Sequence, residues 1–129
     1  MILLCDEDVG TKAPRALTLV GYDVRSLFQM HWHAKQDTWW LAEAGDRGWL
    51  VFSRNHKMLL VPTERTVIQK HKVGVVYLTS GHEHPASMLR LLLKKWEWLE
   101  EIDRSLQRPF ARFLSPDGRV SDSYRTRKL

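Results

Sequence analysis

Met1-Ile2-Leu3-Leu4-Cys5-Asp6-Glu7-Asp8 is the stretch on which the fold turns. Four apolar residues run without a polar interruption, the pattern of a strand buried on both faces. Asp6, Glu7 and Asp8 follow at once, and a helical pattern begins after Val9, Gly10 and Thr11. A buried strand ending in carboxylates just ahead of a helix puts them at the C-terminal edge of a sheet, where open α/β sheets keep their sites. Paired acids there suit a hard divalent cation, whose charge offsets their repulsion. A solvated acidic loop after the strand accounts for the same residues.

Working outward, Thr11 can cap a helix over 12–20, with Pro14 tolerated in its first turn. Ala13, Ala16, Leu17 and Val20 form its inward face and Gly21 its stop. The alternation over 22–27 predicts a second strand, parallel to the first through a right-handed crossover. Residues 28–36 read as a loop carrying His31-Trp32-His33. Two histidines at this spacing could share a metal, but no third ligand stands near, so a substrate-facing loop is the preferred reading. Asp37 opens a helix over 38–44, either as its N-cap or as a second metal ligand. Gly45-Asp46-Arg47-Gly48 reads as a turn. Residues 49–52 are a third buried strand that ends in the polar run Ser53-Arg54-Asn55-His56-Lys57, where the first strand has its acids.

A short helix over 62–70 and an apolar fourth strand over 73–79 follow. Gly81-His82-Glu83-His84-Pro85 is ligand-like, but its spacing matches none of the structured zinc motifs. Leu89, Leu92, Trp96, Leu99, Ile102 and Leu106 make one stripe, predicting a single long helix over 86–106. Residues 110–120 read as a short hairpin around Pro116-Asp117-Gly118. Strands alternating with helices predict an α/β fold with a mainly parallel central sheet between helical layers. Residues 1–120 form one domain, followed by a basic, mobile tail over 121–129.

The formal net charge of +5 favours a polyanionic partner such as RNA or an acidic protein segment. The lone cysteine, Cys5, rules out a disulfide framework within one chain and suits a reducing, cytoplasmic setting. The chain shows no signal-peptide pattern and no run long enough to span a membrane.

Asp6-Glu7-Asp8, Gly21-Tyr22-Asp23-Val24, Asp37 ahead of Trp40 and Ala44, Leu50-Val51-Phe52-Ser53-Arg54-Asn55, Pro109-Phe110 and Asp117-Gly118-Arg119-Val120 together resemble the compact PIN-like nuclease domains, including VapC-type toxins of toxin–antitoxin pairs. The resemblance covers nearly the whole chain. It implies a metal-dependent endoribonuclease that holds Mg²⁺ or Mn²⁺ for RNA cleavage. Its expected partners are RNA and a cognate antitoxin, and a homodimer is compatible with it. Carried over, Asp6 is the principal metal ligand, Asp37 the second acid and Ser53 the small hydroxyl residue. Glu7 and Asp8 flank the site, and Arg54, His56 and Lys57 either take up RNA or form a solvated loop. Asn55 stands where the family has a third acid. The amide keeps the shape but loses a charge, as in an inactivated variant or a naturally weakened member.

Two other readings compete. The opening residues also resemble a response-regulator receiver, but Asn55 cannot be phosphorylated, and Gln107-Arg108-Pro109 replaces the late Lys-Pro. A PIN-like fold kept as a non-catalytic RNA- or protein-binding module is the other.

Overall fold

A computed structural model describes residues 1–81 and 84–129. The strands are β1 (Leu3–Cys5), β2 (Val24–Ser26), β3 (Leu50–Ser53), β4 (Gly74–Leu78), β5 (Phe110–Leu114) and β6 (Val120–Ser121). The helices are α1 (Lys12–Leu19), α2 (Asp37–Arg47), α3 (Pro62–Lys70), α4 (Pro85–Lys94) and α5 (Trp96–Ser105). Single 3₁₀ turns follow β1 and β3, at Glu7–Val9 and His56–Leu60. The strands form one sheet in the order β2-β1-β3-β4-β5-β6, with β6 antiparallel to β5 and every other pair parallel.

Alternation along the strands divides the core in two. Leu3, Cys5, Phe52 and Val76 face α1, α4 and α5, whereas Leu4, Val51, Val75 and Tyr77 face α2 and α3. The result is the expected three-layer α/β fold with a short C-terminal hairpin. β1 sits between β2 and β3, and the helices that follow β1 and β3 lie on opposite faces. A crevice therefore opens at the C-terminal ends of these two strands, the position where doubly wound sheets bind ligands. The register Cys5↔Phe52 sets Asp6 beside Ser53 in that crevice.

Several local expectations change. The stripe over 86–106 is carried by two helices that meet at Lys95 (φ −101°, ψ 6°). Met88, Leu91 and Leu92 before the junction and Trp96, Leu99 and Ile102 after it enter one core cluster, so the apolar period runs on through the break. Thr11 makes no side-chain capping bond, and Val20 is 70 % exposed rather than inward. Tyr22 precedes the strand and packs edge-on against Trp96 at 4.7 Å. Gly45 belongs to α2, not to a turn. A Cβ there would lie 2.3 Å from the His71 carbonyl oxygen, so glycine is what lets α2 close on the end of α3. Cys5 is fully buried, and burial pushes its thiol well above the ordinary range, in keeping with a core role. Of residues 121–129, Tyr124 and Leu129 pack against the core cluster on the α2 and α3 face of the sheet. Tyr124 packs on Phe113 at 6.1 Å, and Arg65 Nη1 donates to the Lys128 carbonyl at 2.7 Å. No helix among the described residues is long and apolar enough to cross a membrane.

Candidate active site

Asp6 is the first residue beyond β1, and its side chain is only 8 % exposed. Oδ1 accepts the Glu7 backbone N–H at 2.7 Å, and Oδ2 accepts the hydroxyl of the buried Ser53 at 2.9 Å. Both bonds favour the carboxylate, yet burial outweighs them. Together with the charges of Asp8 and Asp37 it pushes the pKa of Asp6 up to about 7. Ser53 Oγ also accepts the Asn55 backbone N–H at 2.9 Å. One hydroxyl thus ties the end of β1 to the chain leaving β3. The Asn55 side chain itself makes no hydrogen bond among the described residues.

Asp8 and Glu7 part company at the 3₁₀ turn. Asp8 Oδ1 accepts the Arg54 backbone N–H at 3.0 Å, while Arg54 Nη1 donates to the Asp8 carbonyl at 3.3 Å. Burial still raises the Asp8 pKa, against the pull of Arg54. Glu7 instead turns towards a hollow lined by Phe28 and His33.

Asp37 is not the N-cap of α2. Gln36 holds that place, and Asp37 is the first helical residue, where the helix dipole favours an acid. Its Oδ1 accepts the Trp40 indole N–H at 3.0 Å, which ties the carboxylate to the next turn of its own helix. Its charge is felt by Asp6 and Asp8 and by a further acid, Glu64, in the first turn of α3. Burial raises the pKa of Glu64, and so do the Asp37 charge and a hydrogen bond between the two carboxyl groups. Glu64 Oε2 is buried and has no partner among the described residues.

Four acids from three segments therefore meet electrostatically at the crevice: Asp6 and Asp8 from the turn after β1, Asp37 from α2 and Glu64 from α3. Glu64 is the one that reading along the chain missed. Its only sequence signal is its place just after Pro62-Thr63 at a helix start, where an acid has an ordinary dipole explanation. Among the described residues, no three His, Cys, Asp or Glu side chains converge closely enough to hold an ion as they stand. The chemistry of the donors nonetheless suits Mg²⁺ or Mn²⁺, because every one is a hard oxygen. The orphaned Glu64 oxygen adds an acceptor with nothing to accept from.

The remaining expected residues take other positions. His56 is half-buried beneath Tyr124, with ring centroids 5.1 Å apart. Burial and the Arg127 charge lower its pKa, so near neutral pH it is a neutral imidazole more than a cation. Lys57 is exposed, and Arg125 and Arg127 from the C-terminal residues add positive charge around His56. Arg54 is already bound to Asp8. His31 and His33 flank Trp32, whose buried ring stacks on Trp49 at 5.8 Å, while His33 stacks on Phe28. In the Gly81–Pro85 run, His82 and Glu83 lie outside the described residues, and His84 Nδ1 caps α4 by accepting the Ala86 N–H at 3.3 Å.

Residues 1–80 of the chain match the family model described as a PIN like domain. No curated protein and no solved structure matches the chain.

Proposed function

Because the chain belongs to the PIN-like domain family, which is of nuclease type, we propose that it is a metal-dependent endoribonuclease acting at the crevice between β1 and β3. Asp6 and Asp37 are the principal ligands for Mg²⁺ or Mn²⁺. Glu64 completes the set from α3, and Asn55 occupies a weakened position beside Ser53. A divalent cation so held supplies positive charge to the phosphate and eases deprotonation of water. The chain's own part is positional. Ser53 and the Glu7 N–H lock the Asp6 carboxylate, and the Trp40 indole locks Asp37, so neither has to be ordered when substrate arrives. Lys57, Arg125 and Arg127 attract the RNA backbone from beside the crevice. We further propose that the chain is the toxin of a toxin–antitoxin pair, acting in the cytoplasm and held in check by an antitoxin protein.

The observation that carries this reading is the crowding of Asp6, Asp8, Asp37 and Glu64, with Asp6 raised to about 7 and one Glu64 oxygen left orphaned. Such a cluster costs stability unless positive charge joins it. Asn55 favours a second reading, a non-catalytic RNA-binding module, because it removes one expected charge.

The separating experiment is cleavage of single-stranded RNA by the chain with Asn55 and by Asn55→Asp, in Mn²⁺ or Mg²⁺ and again with chelator. The nuclease reading expects chelator-sensitive cleavage that is stronger in Asn55→Asp by orders of magnitude, since a lost ligand charge commonly costs several kcal/mol of transition-state stabilisation. Absence of metal-dependent cleavage from Asn55→Asp would leave the binding module standing.

A further inference from the structure

We infer that the hollow between the start of α1 and the loop after β2 is a nucleobase pocket that takes an unpaired guanine of the substrate RNA. This rests on the ribonuclease reading above and adds to it which nucleotide is read beside the crevice.

The hollow measures about 230 Å³, and Glu7, Thr11, Phe28 and His33 are among the residues on its wall. Ligand pockets for drug-sized molecules start at roughly 300 Å³, so this volume suits one planar heterocycle. The Phe28 and His33 rings stack on each other with centroids 4.5 Å apart and planes 23° apart, yet Phe28 is 59 % exposed. Their loop does not depend on those rings for its fold. It is anchored by the buried Trp32 and Leu27. A flat aromatic pair kept in water on a fixed backbone is the platform on which unpaired bases stack.

The polar groups around the platform select among bases. Among the described residues no hydrogen bond reaches the Glu7 carboxylate, so it can accept two N–H groups. The second polar group is Gln29, which with Arg15 lines an adjoining hollow of about 450 Å³ that shares Thr11, Ser26 and Phe28 with the first. Gln29 Oε1 accepts the Ser26 backbone N–H at 2.9 Å, and Ser26 Oγ accepts the Gln29 backbone N–H at 3.1 Å. That exchange fixes which end of the amide is oxygen and leaves its NH₂ to donate outward. Guanine presents two adjacent donors, N1–H and N2–H₂, beside the acceptor O6. A carboxylate takes the two donors and an amide NH₂ serves the acceptor. Adenine offers one donor next to an acceptor and cannot use the carboxylate twice, while uracil and cytosine cover less of the platform. Arg15 in the adjoining hollow gives a cation for the phosphate of the same nucleotide. Glu7 follows Asp6 directly in the chain, so a base held here keeps its own backbone at the mouth of the acidic crevice.

The test is equilibrium binding, by fluorescence anisotropy in chelator, of an oligouridine and of the same oligomer with one central guanine, adenine or cytosine. The expected result is a roughly ten- to hundredfold tighter complex for the guanine oligomer alone, the range for one stacked, bidentately read base. Glu7→Gln, at an exposed position, should bring the guanine oligomer down to the affinity of the other three, and Phe28→Ala should weaken all four oligomers, the guanine oligomer most. Equal affinity for all four oligomers overturns the pocket and leaves the ribonuclease reading in place. Loss of oligouridine binding in both variants, to the same degree as guanine binding, also overturns it. Failure to bind any of the oligomers at low salt overturns the RNA reading and the pocket together.

Discussion

Replacing Asp6 by asparagine should make the metal-free protein more stable at neutral pH and remove most of a pH dependence that the native chain shows. Asp6 ionises near pH 7 in the folded chain, against 3.8 for an unperturbed aspartate. Between those values the folded state holds a proton that the unfolded state has released. The associated stability is therefore fully present below about pH 4 and is lost as pH rises through about 7. At 8 % exposure the site is little screened by solvent. A shift of about three units then corresponds to about 3 kcal/mol between about pH 5 and about pH 8, as an upper figure. The asparagine side chain would mimic the protonated acid. Its oxygen can accept the Glu7 N–H, and its NH₂ can donate to Ser53 Oγ, which already accepts from Asn55. Urea denaturation in chelator across this range is the assay. The two chains should coincide at the acid end and diverge towards neutrality, with Asp6→Asn the more stable. Added Mn²⁺ should then stabilise only the native chain. Parallel curves for the two proteins would refute the account of Asp6 as a carboxylate held ionised at a cost.

Divalent affinity, measured by calorimetry, should rise with pH through about 7 with proton release, because Asp6 and Glu64, both raised by burial, must give up protons to bind a cation. Glu64→Gln should weaken that affinity about tenfold or more while leaving the metal-free fold intact, and unchanged binding would remove Glu64 from the set. Gly45→Ala should destabilise by about 1–3 kcal/mol through its clash with the His71 carbonyl, although helix propensity alone favours alanine by about 1 kcal/mol. A gain in thermal midpoint would contradict that contact. RNA affinity should fall steeply with salt, and Lys57→Ala should lower the slope of log affinity against log salt by about one phosphate contact. A slope near zero in the native chain would point to a protein ligand instead.

The reach of periodicity differed from element to element. Buried strands at Leu3–Cys5, Leu50–Ser53 and Gly74–Leu78, and the helix Pro62–Lys70, are visible as apolar runs and as a proline at a helix start. The break at Lys95 is not, because the stripe on either side faces the same core and so keeps its phase. Gly45-Asp46-Arg47-Gly48 has the composition of a turn, and only the approach of the His71 carbonyl explains a glycine inside α2.

For the site, the chain's own order was enough to assign Asp6 to a sheet edge, since a buried strand followed by acids and a helix has few other arrangements. The resemblance to PIN-like domains brought forward Ser53 and Asn55, at and just beyond the end of a strand of the same kind. Tertiary structure alone decided the company these residues keep. It separated Glu7 from Asp8, bound Arg54 to Asp8, and laid Tyr124 and Arg127 against His56. It also brought Glu64 to Asp37, 27 residues away in the chain. Local patterns report which face of an element is apolar. Charges meet across a sheet edge only after crossovers have placed separate strands and helices side by side, and that placement depends on packing spread over the whole chain.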